Sequence, residues 1–240
     1  MMRCLSILFV LLTMMACKIP QPLKLDLPLS KYGLPVVNDI NIYKKIVKAD
    51  TDNKLLDMRT VIPDAQFDVT YATSNNLVKR AVYPTADVFM RKPAALALQR
   101  AHKILKKQGF GLVLFDGYRP YRVTEIFYEE IRDTIYVADP HRGSRHNRGM
   151  AIDLSMFDLK SGQRVSMPSA YDETTPRAFH NYMDSDSASL KHREILKNAM
   201  VAVGFEINAH EWWHYDFKGY QKCFTYDLWH TEIRKANEGL

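Results

Sequence analysis

Residues 205–217 read FEINAHEWWHYDF, and the fold around them depends on whether they form a helix or a strand. The five residues from His210 to His214 match the H-E-x-x-H pattern, in which two histidines one helical turn apart bind a metal. The stretch is rich in Phe, Ile, Trp and Tyr, and it follows Gly204, a residue typical of a helix end. We therefore predict a strand, in which residues four positions apart are separated by about 13 Å. His210 and His214 then cannot bind the same ion.

Glu211 and His214 remain from this pattern, one as a metal ligand and the other as a neighbouring base. In a regular strand, residues three positions apart point to opposite faces of the sheet. We therefore expect Glu211 to lie in the loop that enters the strand or at a β-bulge, where both side chains can reach one side.

A second candidate cluster lies in the sequence SRHNRGMAIDLSMF, which spans residues 144–157. From Gly149 onward, large apolar residues alternate with small or polar ones, which predicts a half-buried strand with Asp153 on its less apolar face. On one helix, His146 and Asp153 would be about 10 Å apart, too far to bind one ion. Gly149 instead permits a loop that folds His146 back beside the strand. A catalytic zinc site uses three His, Asp or Glu ligands, and the two clusters together offer enough candidates.

The rest of the chain predicts an α+β domain. Helical periods occur at residues 94–110, 122–132 and 190–203, and Gly109 suits a left-handed helix cap. GLVLF, at residues 111–115, is a short apolar strand that stops at an Asp-Gly turn signal. Because helices and strands come in separate runs, we predict one domain over residues 38–240, with a central antiparallel sheet flanked by helices and the site at the sheet.

The first residues, MMRCLSILFVLLTMMAC, place a positive charge at Arg3 before a short apolar run. This pattern predicts a signal peptide over residues 1–16, which is too short to span a membrane as a helix. A small residue before Cys17 is typical of a lipoprotein cleavage site, so a lipid on Cys17 and plain cleavage are the two alternatives. We expect export to the periplasm or cell envelope. Residues 17–37 are rich in proline and predict a tether.

The composition excludes some classes of function. The net charge of +6 at pH 7 arises from 33 basic and 27 acidic residues. The two signs are interspersed along the chain, which is typical of a solvated surface and argues against nucleic acid as a partner. Only three cysteines are present, so a disulfide framework is not expected.

Five segments of the sequence resemble one known family. The pattern S-x-H-x-x-G-x-A-x-D begins at Ser144, and E-W-W-H begins at Glu211. FDVTYATSNN begins at residue 67, LFDGYRP at residue 114 and MPSAYD at residue 167. Taken in their order along the chain, the five segments resemble the zinc D-alanyl-D-alanine dipeptidases of peptidase family M15, relatives of the dipeptidase of vancomycin resistance.

The resemblance implies a zinc metallopeptidase with one zinc ion per chain and roles for eight residues. The implied metal ligands are His146, Asp153 and His214. Glu211 corresponds to the family's general base, and Arg119 corresponds to the arginine that stabilises the transition state. The positions that match the substrate pocket are Tyr71, Ser144 and Asp172.

The resemblance leaves alternatives open. The expected substrate is D-Ala-D-Ala or a related peptidoglycan-derived peptide. A zinc D,D-carboxypeptidase or a peptidoglycan endopeptidase would use the same ligands in a more open pocket, and a wall-binding module would bind without turnover. Retention of Glu211 and Arg119 argues against the module, because binding needs no base. For single residues, Arg119 could instead pair with Asp116, and Ser144 could cap a turn.

Overall fold

The computed structural model describes residues 23, 25–131 and 136–240. The predicted signal peptide at 1–16 and Cys17 lie outside these residues, and both stay predictions. None of the helices in the described part of the chain is long and apolar enough to cross a membrane.

The described residues form six α-helices and seven β-strands. The helices are α1 Ile40–Ala49, α2 Met58–Val61, α3 Lys92–Lys106, α4 Tyr121–Ile131, α5 Ser187–Val201 and α6 His230–Asn237. The strands are β1 Leu55–Asp57, β2 Gln66–Phe67, β3 Phe89–Arg91, β4 Phe110–Asp116, β5 Ala151–Asp158, β6 Phe205–Asn208 and β7 Glu211–Phe217.

Five of the strands form the main sheet, in the order β2-β4-β5-β7-β6, and β1 pairs with β3 in a second, small sheet. The pairs β4–β5, β5–β7 and β6–β7 are antiparallel. Strand β2 runs parallel to β4, so the sheet is mixed at one edge. The predicted α+β class with a sheet at the site is confirmed, and the prediction of an antiparallel sheet holds for every pair except this edge pair.

The stretch at residues 205–217 is a β-hairpin, as its aromatic content predicts. Strands β6 and β7 are antiparallel, and their register is irregular between Ile207 and Asn208. Glu211 is the first residue of β7 and pairs with Asn208 at this irregular end. His210 lies in the exposed turn between the two strands. The predicted strand and the predicted position of Glu211 at a strand entry are both confirmed.

Strand β5 is buried on both faces, so the prediction of a half-buried strand is wrong. Asp153 is only 2% exposed, and the apolar residues beside it are fully buried. The strand is central in the sheet, and α5 contacts it. Tyr171, from a loop that follows in sequence, stacks on Phe115 of the neighbouring strand β4 and donates a hydrogen bond to Asp153. A loop therefore covers the face that the alternation assigns to solvent.

The predicted helices are present with slightly shifted ends. Helix α3 ends at Lys106, and the chain reverses at Gly109, whose φ of +87° is the left-handed conformation expected of a helix cap. The second and third predicted helices correspond to α4 and α5.

The described part of the predicted tether contacts the domain. The amide of Val37 donates to the carbonyl of Thr225, and the amide of Asp227 donates to the carbonyl of Val37. Leu25 and Leu27 pack against the smaller of two apolar clusters, which includes residues of α1 and α6.

Candidate active site

One cavity of about 500 Å³ brings together all eight residues that the sequence nominates. They come from five separate parts of the chain, and strands β5 and β7 carry three of them. The residues are Tyr71, Arg119, Ser144, His146, Asp153, Asp172, Glu211 and His214.

Three buried side chains in this cavity form a group that could hold one metal ion. The potential ligand atoms of His146, Asp153 and His214 all lie within 4.8 Å of one another. His214 Nδ1 is 3.0 Å from Asp153 Oδ1, and His146 Nε2 is 3.2 Å from His214 Nδ1 and 3.4 Å from Asp153 Oδ1. Tetrahedral ligands about 2.0–2.1 Å from a zinc ion are about 3.3 Å apart. The spacing of the three atoms therefore fits a zinc ion.

Cross-strand pairing and one turn position these three side chains. Asp153 of β5 and His214 of β7 are direct partners in the antiparallel ladder. His146 lies in a tight turn whose last residue, Gly149, has a φ of +65°. A Cβ at Gly149 would lie 2.9 Å from the backbone nitrogen of Arg91, and the positive φ also disfavours other residues, so glycine is required there. The loop that the sequence predicts at Gly149 is thus what returns His146 to the strand.

Each of the three side chains also has an outer partner that orients it. His146 Nδ1 donates to the carbonyl of Gly117 at 2.7 Å, so Nε2 carries no proton and its lone pair is available to a metal. His214 Nε2 donates to Asp216 Oδ1 at 2.9 Å, which leaves Nδ1 free in the same way. Asp153 Oδ2 accepts from the Tyr171 hydroxyl at 3.2 Å. Such outer partners fix ring orientation and tautomer in metal sites, so the donor chemistry here fits a bound metal.

The charge of Asp153 is stabilised by its neighbours. Burial alone would raise the pKa of Asp153, but the adjacent imidazoles of His146 and His214 outweigh burial and hold the pKa below its usual value. The carboxylate is therefore ionised, which is the form that binds a metal.

Glu211 lies beside the three ligands. Its Oε2 atom is 3.8 Å from His214 Nδ1 and accepts a hydrogen bond of 2.6 Å from the side-chain amide of Asn208. Burial is the main cause that raises the pKa of Glu211. A carboxylate in this position can take up and release a proton close to the metal group.

Arg119 lines the cavity and also pairs with Asp116, which the sequence analysis gave as the structural alternative for this residue. Its Nε and Nη2 atoms donate to Asp116 Oδ2 at 3.0 and 2.7 Å, and Asp116 Oδ1 accepts from the Tyr83 hydroxyl at 2.7 Å. Burial would lower the pKa of Arg119, but Asp116 together with Tyr71 and Tyr83 more than offsets it. The guanidinium is therefore a fixed positive charge at the cavity wall.

Comparison with known proteins identifies the family. The family described as D-Ala-D-Ala dipeptidase, peptidase family M15, matches residues 51–235. The chain belongs to this family. It is 31% identical to the D-alanyl-D-alanine dipeptidase of Escherichia coli K12 over 163 residues, which are 68% of this chain and 84% of the relative. It is also 31% identical to the D-alanyl-D-alanine dipeptidase of Streptomyces coelicolor over 181 residues, which are 66% of this chain and 88% of the relative.

A solved structure of the LdcB LD-carboxypeptidase, described as revealing the molecular basis of peptidoglycan recognition, is 21% identical. The alignment covers 78% of this chain and 74% of that one, with a TM-score of 0.41, which is too low to establish a shared fold. By homology the chain is an enzyme, a metallopeptidase of the D-Ala-D-Ala dipeptidase family.

In this member of the family, Asp172 is a buried carboxyl group that lacks a full set of partners. Its Oδ2 atom is buried and has no hydrogen-bond partner, and its φ is +58°, which is uncommon for a residue other than glycine. Burial and the nearby charge of Asp153 raise the pKa of Asp172 to about 8. Trp212 anchors the loop before it through a 2.9 Å hydrogen bond to Ser169. A positive φ at a residue other than glycine and a buried carboxyl oxygen without a partner are typical of a binding site.

Ser144 and Tyr71 have structural contacts in addition to their place in the cavity lining. Ser144 Oγ accepts from the backbone amide of His146 at 3.2 Å, so it caps the turn that carries this ligand. The ring of Tyr71 packs against Tyr83, Phe127 and Tyr171.

Three residues that contact the metal group or Glu211 were missed from the sequence: Asp216, Tyr171 and Asn208. For Asp216 a signal exists, because it follows His214 by two positions in a strand and such residues share a face. Tyr171 reaches the site from a turn and Asn208 from the last position of β6, and the local pattern gives no signal for either contact. Arg145 Nε is 3.2 Å from Asp216 Oδ2 and extends this group to the rim of the cavity.

His210 is separate from the metal group. Its side chain is exposed, and its ring lies 4.8 Å from the ring of Phe179. The group of three metal-binding candidates found among the described residues does not include it.

Proposed function

We propose that the chain is a zinc peptidase that hydrolyses D-Ala-D-Ala. The observation that carries the proposal is the buried group of His146, Asp153 and His214, in which every ligand has its outer partner, beside Glu211 in one cavity. The names of the relatives support the choice of substrate.

A zinc ion held by these three ligands would act as a Lewis acid and lower the pKa of a water from about 15.7 to about 7. Glu211 is the general base that takes the proton from the attacking water. Its raised pKa favours uptake of that proton, and Glu211 then passes it to the leaving amine. The hydrogen bond from Asn208 holds the carboxylate in place through both transfers.

Arg119 stabilises the negative charge that develops on the carbonyl oxygen. Asp116 holds two nitrogens of the guanidinium and so fixes its direction, and the tyrosines around the pair help to keep it charged. A preorganised charge of this kind contributes about 100-fold to 1000-fold in rate.

Asp172 binds the free ammonium group of the dipeptide. A buried carboxyl oxygen without a partner gains a charge-assisted hydrogen bond when an ammonium group arrives. Tyr71 and Ser144 line the same cavity and complete the pocket around the substrate. An ammonium group so close to the scissile bond favours a dipeptide over a longer chain.

The assay is release of D-alanine by the purified zinc-loaded protein. We expect about one bound zinc per chain and turnover of D-Ala-D-Ala. Release from pentapeptide muropeptides without release from the dipeptide would assign a D,D-carboxypeptidase instead. Binding to sacculi with no turnover of either substrate would assign a wall-binding module.

The variant Glu211→Gln tests the base separately from the metal. Because glutamine keeps the shape but cannot take a proton, turnover should fall by about 100-fold to 10,000-fold, while zinc content stays near that of the wild type. Loss of zinc in this variant would mean that Glu211 is a ligand and that the base lies elsewhere.

We further propose that the protein is exported and anchored by a lipid on Cys17. The apolar run after Arg3 and the small residue before Cys17 support this proposal. Incorporation of labelled palmitate into the full-length protein, lost in Cys17→Ser, is the expected result. Export without label would leave plain cleavage of the signal peptide.

A further inference from the structure

A short segment near the start of the described chain packs against the active site from outside. Residues 29–35, here named the strap, form a tight turn in which the amide of Ser30 donates to the carbonyl of Leu34 at 2.9 Å. Gly33 takes a φ of +78° in this turn, and Leu29 bridges to Pro35. The family match begins at residue 51, so the strap lies before the matched residues.

Residues 137–143, here named the wall loop, form one side of the cavity. Five of these residues line it: Val137, Ala138, Asp139, Arg142 and Gly143. The loop leads directly into Ser144 and the turn of His146. Its position therefore sets how much room the cavity has on this side.

A chain of hydrogen bonds forms the first contact between strap and wall loop. Ser30 Oγ lies 3.0 Å from the Tyr121 hydroxyl, which donates to the carbonyl of Pro140 at 2.9 Å. Because the tyrosine proton goes to Pro140, Ser30 donates to Tyr121. Ser30 Oγ also accepts from the amide of Leu34, so the turn of the strap and its link to the wall share one atom.

Tyr32 makes the second contact. Its ring lies edge-on to His141 of the wall loop, with centroids 5.2 Å apart, and edge-on to Tyr128 of α4 at 5.8 Å. Its hydroxyl donates to Glu129 Oε1 at 3.0 Å. Tyr32 therefore connects the wall loop to helix α4.

Leu34 makes the third contact. A Cβ placed on Gly143 would lie 2.8 Å from Leu34 Cδ2, so the leucine packs directly on the glycine backbone. Gly143 has a φ of +67° and is one of the residues that line the cavity. Leu34 therefore packs on a residue that lines the substrate cavity.

We propose that the strap determines the length of peptide that the active site accepts, by holding the wall loop against the cavity. The three contacts all fall on the wall loop or on Tyr121 behind it, at Pro140, His141 and Gly143. The cavity of about 500 Å³ is within the range of pockets for drug-sized ligands, and a dipeptide of two alanines is smaller than such ligands. An outward shift of the wall adds room for a longer chain and removes contacts from the dipeptide.

The inference rests on the proposed peptidase function, and the test separates the two. The double variant Tyr32→Ala/Leu34→Ala removes two contacts with the wall loop. The control Leu29→Ala changes a strap side chain that takes no part in these contacts, since Leu29 is 67% exposed. In each protein, kcat/KM is measured for D-Ala-D-Ala and for L-Lys-D-Ala-D-Ala.

We expect the ratio of tripeptide to dipeptide kcat/KM to rise about tenfold in the double variant, which corresponds to about 1.4 kcal/mol, and to stay unchanged in the control. Loss of folded protein lowers kcat/KM for both peptides by the same factor, so it does not change their ratio. If the strap only stabilised the fold, the double variant would have a lower Tm and an unchanged ratio. An unchanged ratio in the double variant overturns the inference alone. Absence of turnover of either peptide by the wild type overturns the proposed function, and this inference with it.

A milder variant and a second measurement cover a failure of the double variant to fold. Ser30→Ala removes the hydroxyl that bonds Tyr121 and should shift the ratio in the same direction by a smaller factor. In hydrogen exchange, amides of residues 137–143 should exchange faster in Ser30→Ala than in the wild type. Unchanged protection of these amides would contradict the proposed role of the strap.

Discussion

The variant Asp216→Asn tests whether the carboxylate behind His214 controls metal binding. In the wild type, Asp216 Oδ1 accepts from His214 Nε2 at 2.9 Å, and Oδ2 lies 3.2 Å from Arg145 Nε. Both carboxylate oxygens therefore face donors. Asparagine has one acceptor oxygen and one NH₂ group, so either His214 or Arg145 must then face a donor. If the NH₂ group faces His214, the ring proton moves to Nδ1, the atom that points at the metal group.

The expected loss follows from these contacts. Changes to such outer partners cost about 10-fold to 100-fold in metal affinity, which corresponds to about 1.4–2.7 kcal/mol. We expect the upper part of this range, because Asp216 and His214 are each only 7% exposed and water screens their interaction little.

Zinc affinity is measured by competition with a chromophoric chelator, which needs no substrate and no turnover. The matched control is Glu206→Gln, which removes one negative charge from the exposed residue that pairs with Asp216 across β6 and β7. The control should bind zinc as the wild type does. Equal zinc affinity in Asp216→Asn and the wild type would refute the argument that this carboxylate orients His214.

Three further variants have expected outcomes. His210→Ala should leave zinc content unchanged, because the residue lies in an exposed turn; a metal-free variant would restore the helical H-E-x-x-H site. Arg119→Met should lower kcat by about 100-fold or more and also lower Tm, because it leaves the buried Asp116 without its cation; adding Asp116→Asn should restore Tm but not kcat. Asp172→Asn should raise KM for D-Ala-D-Ala. Since the pKa of Asp172 is raised to about 8, the metal-free native wild type loses stability as pH rises from about 4 to about 8, and urea unfolding should show a smaller loss in Asp172→Asn.

The central features of the site could be predicted because they follow from local rules. The aromatic content of residues 205–217 favours a strand over a helix, and the geometry of a strand then separates His210 from His214. His146 and Asp153 can reach one ion only if the chain turns between them, and Gly149 permits this turn with a φ of +65°. Spacing and backbone preference give these two conclusions, whereas the assignment of the three ligands and of Glu211 as the base came from the resemblance to the family.

The remaining features depend on contacts between distant parts of the chain. The alternation in β5 predicts one solvated face, but Tyr171, eighteen residues beyond Asp153, covers that face and bonds to it. The strap lies within the proline-rich residues 17–37 that predict a tether, yet its contacts with the wall loop join residues more than a hundred positions apart in sequence. Alternation and composition describe one segment at a time, so they carry no information about which loop packs on it.

The register of β5 against β7 links the stability of the sheet to the chemistry of the site. Asp153 pairs with His214 and Ala151 pairs with Asp216, so one ladder positions two ligands and the carboxylate that orients one of them. A slip of one residue would turn Asp153 to the opposite face, because side chains alternate along a strand. On that face it would lose His214 and Tyr171 together, and a buried carboxylate would be left unpaired. The contacts of the metal group therefore stabilise this register of β5 against β7 over registers shifted by one residue. They help to bring together ligands from strands that are far apart in sequence.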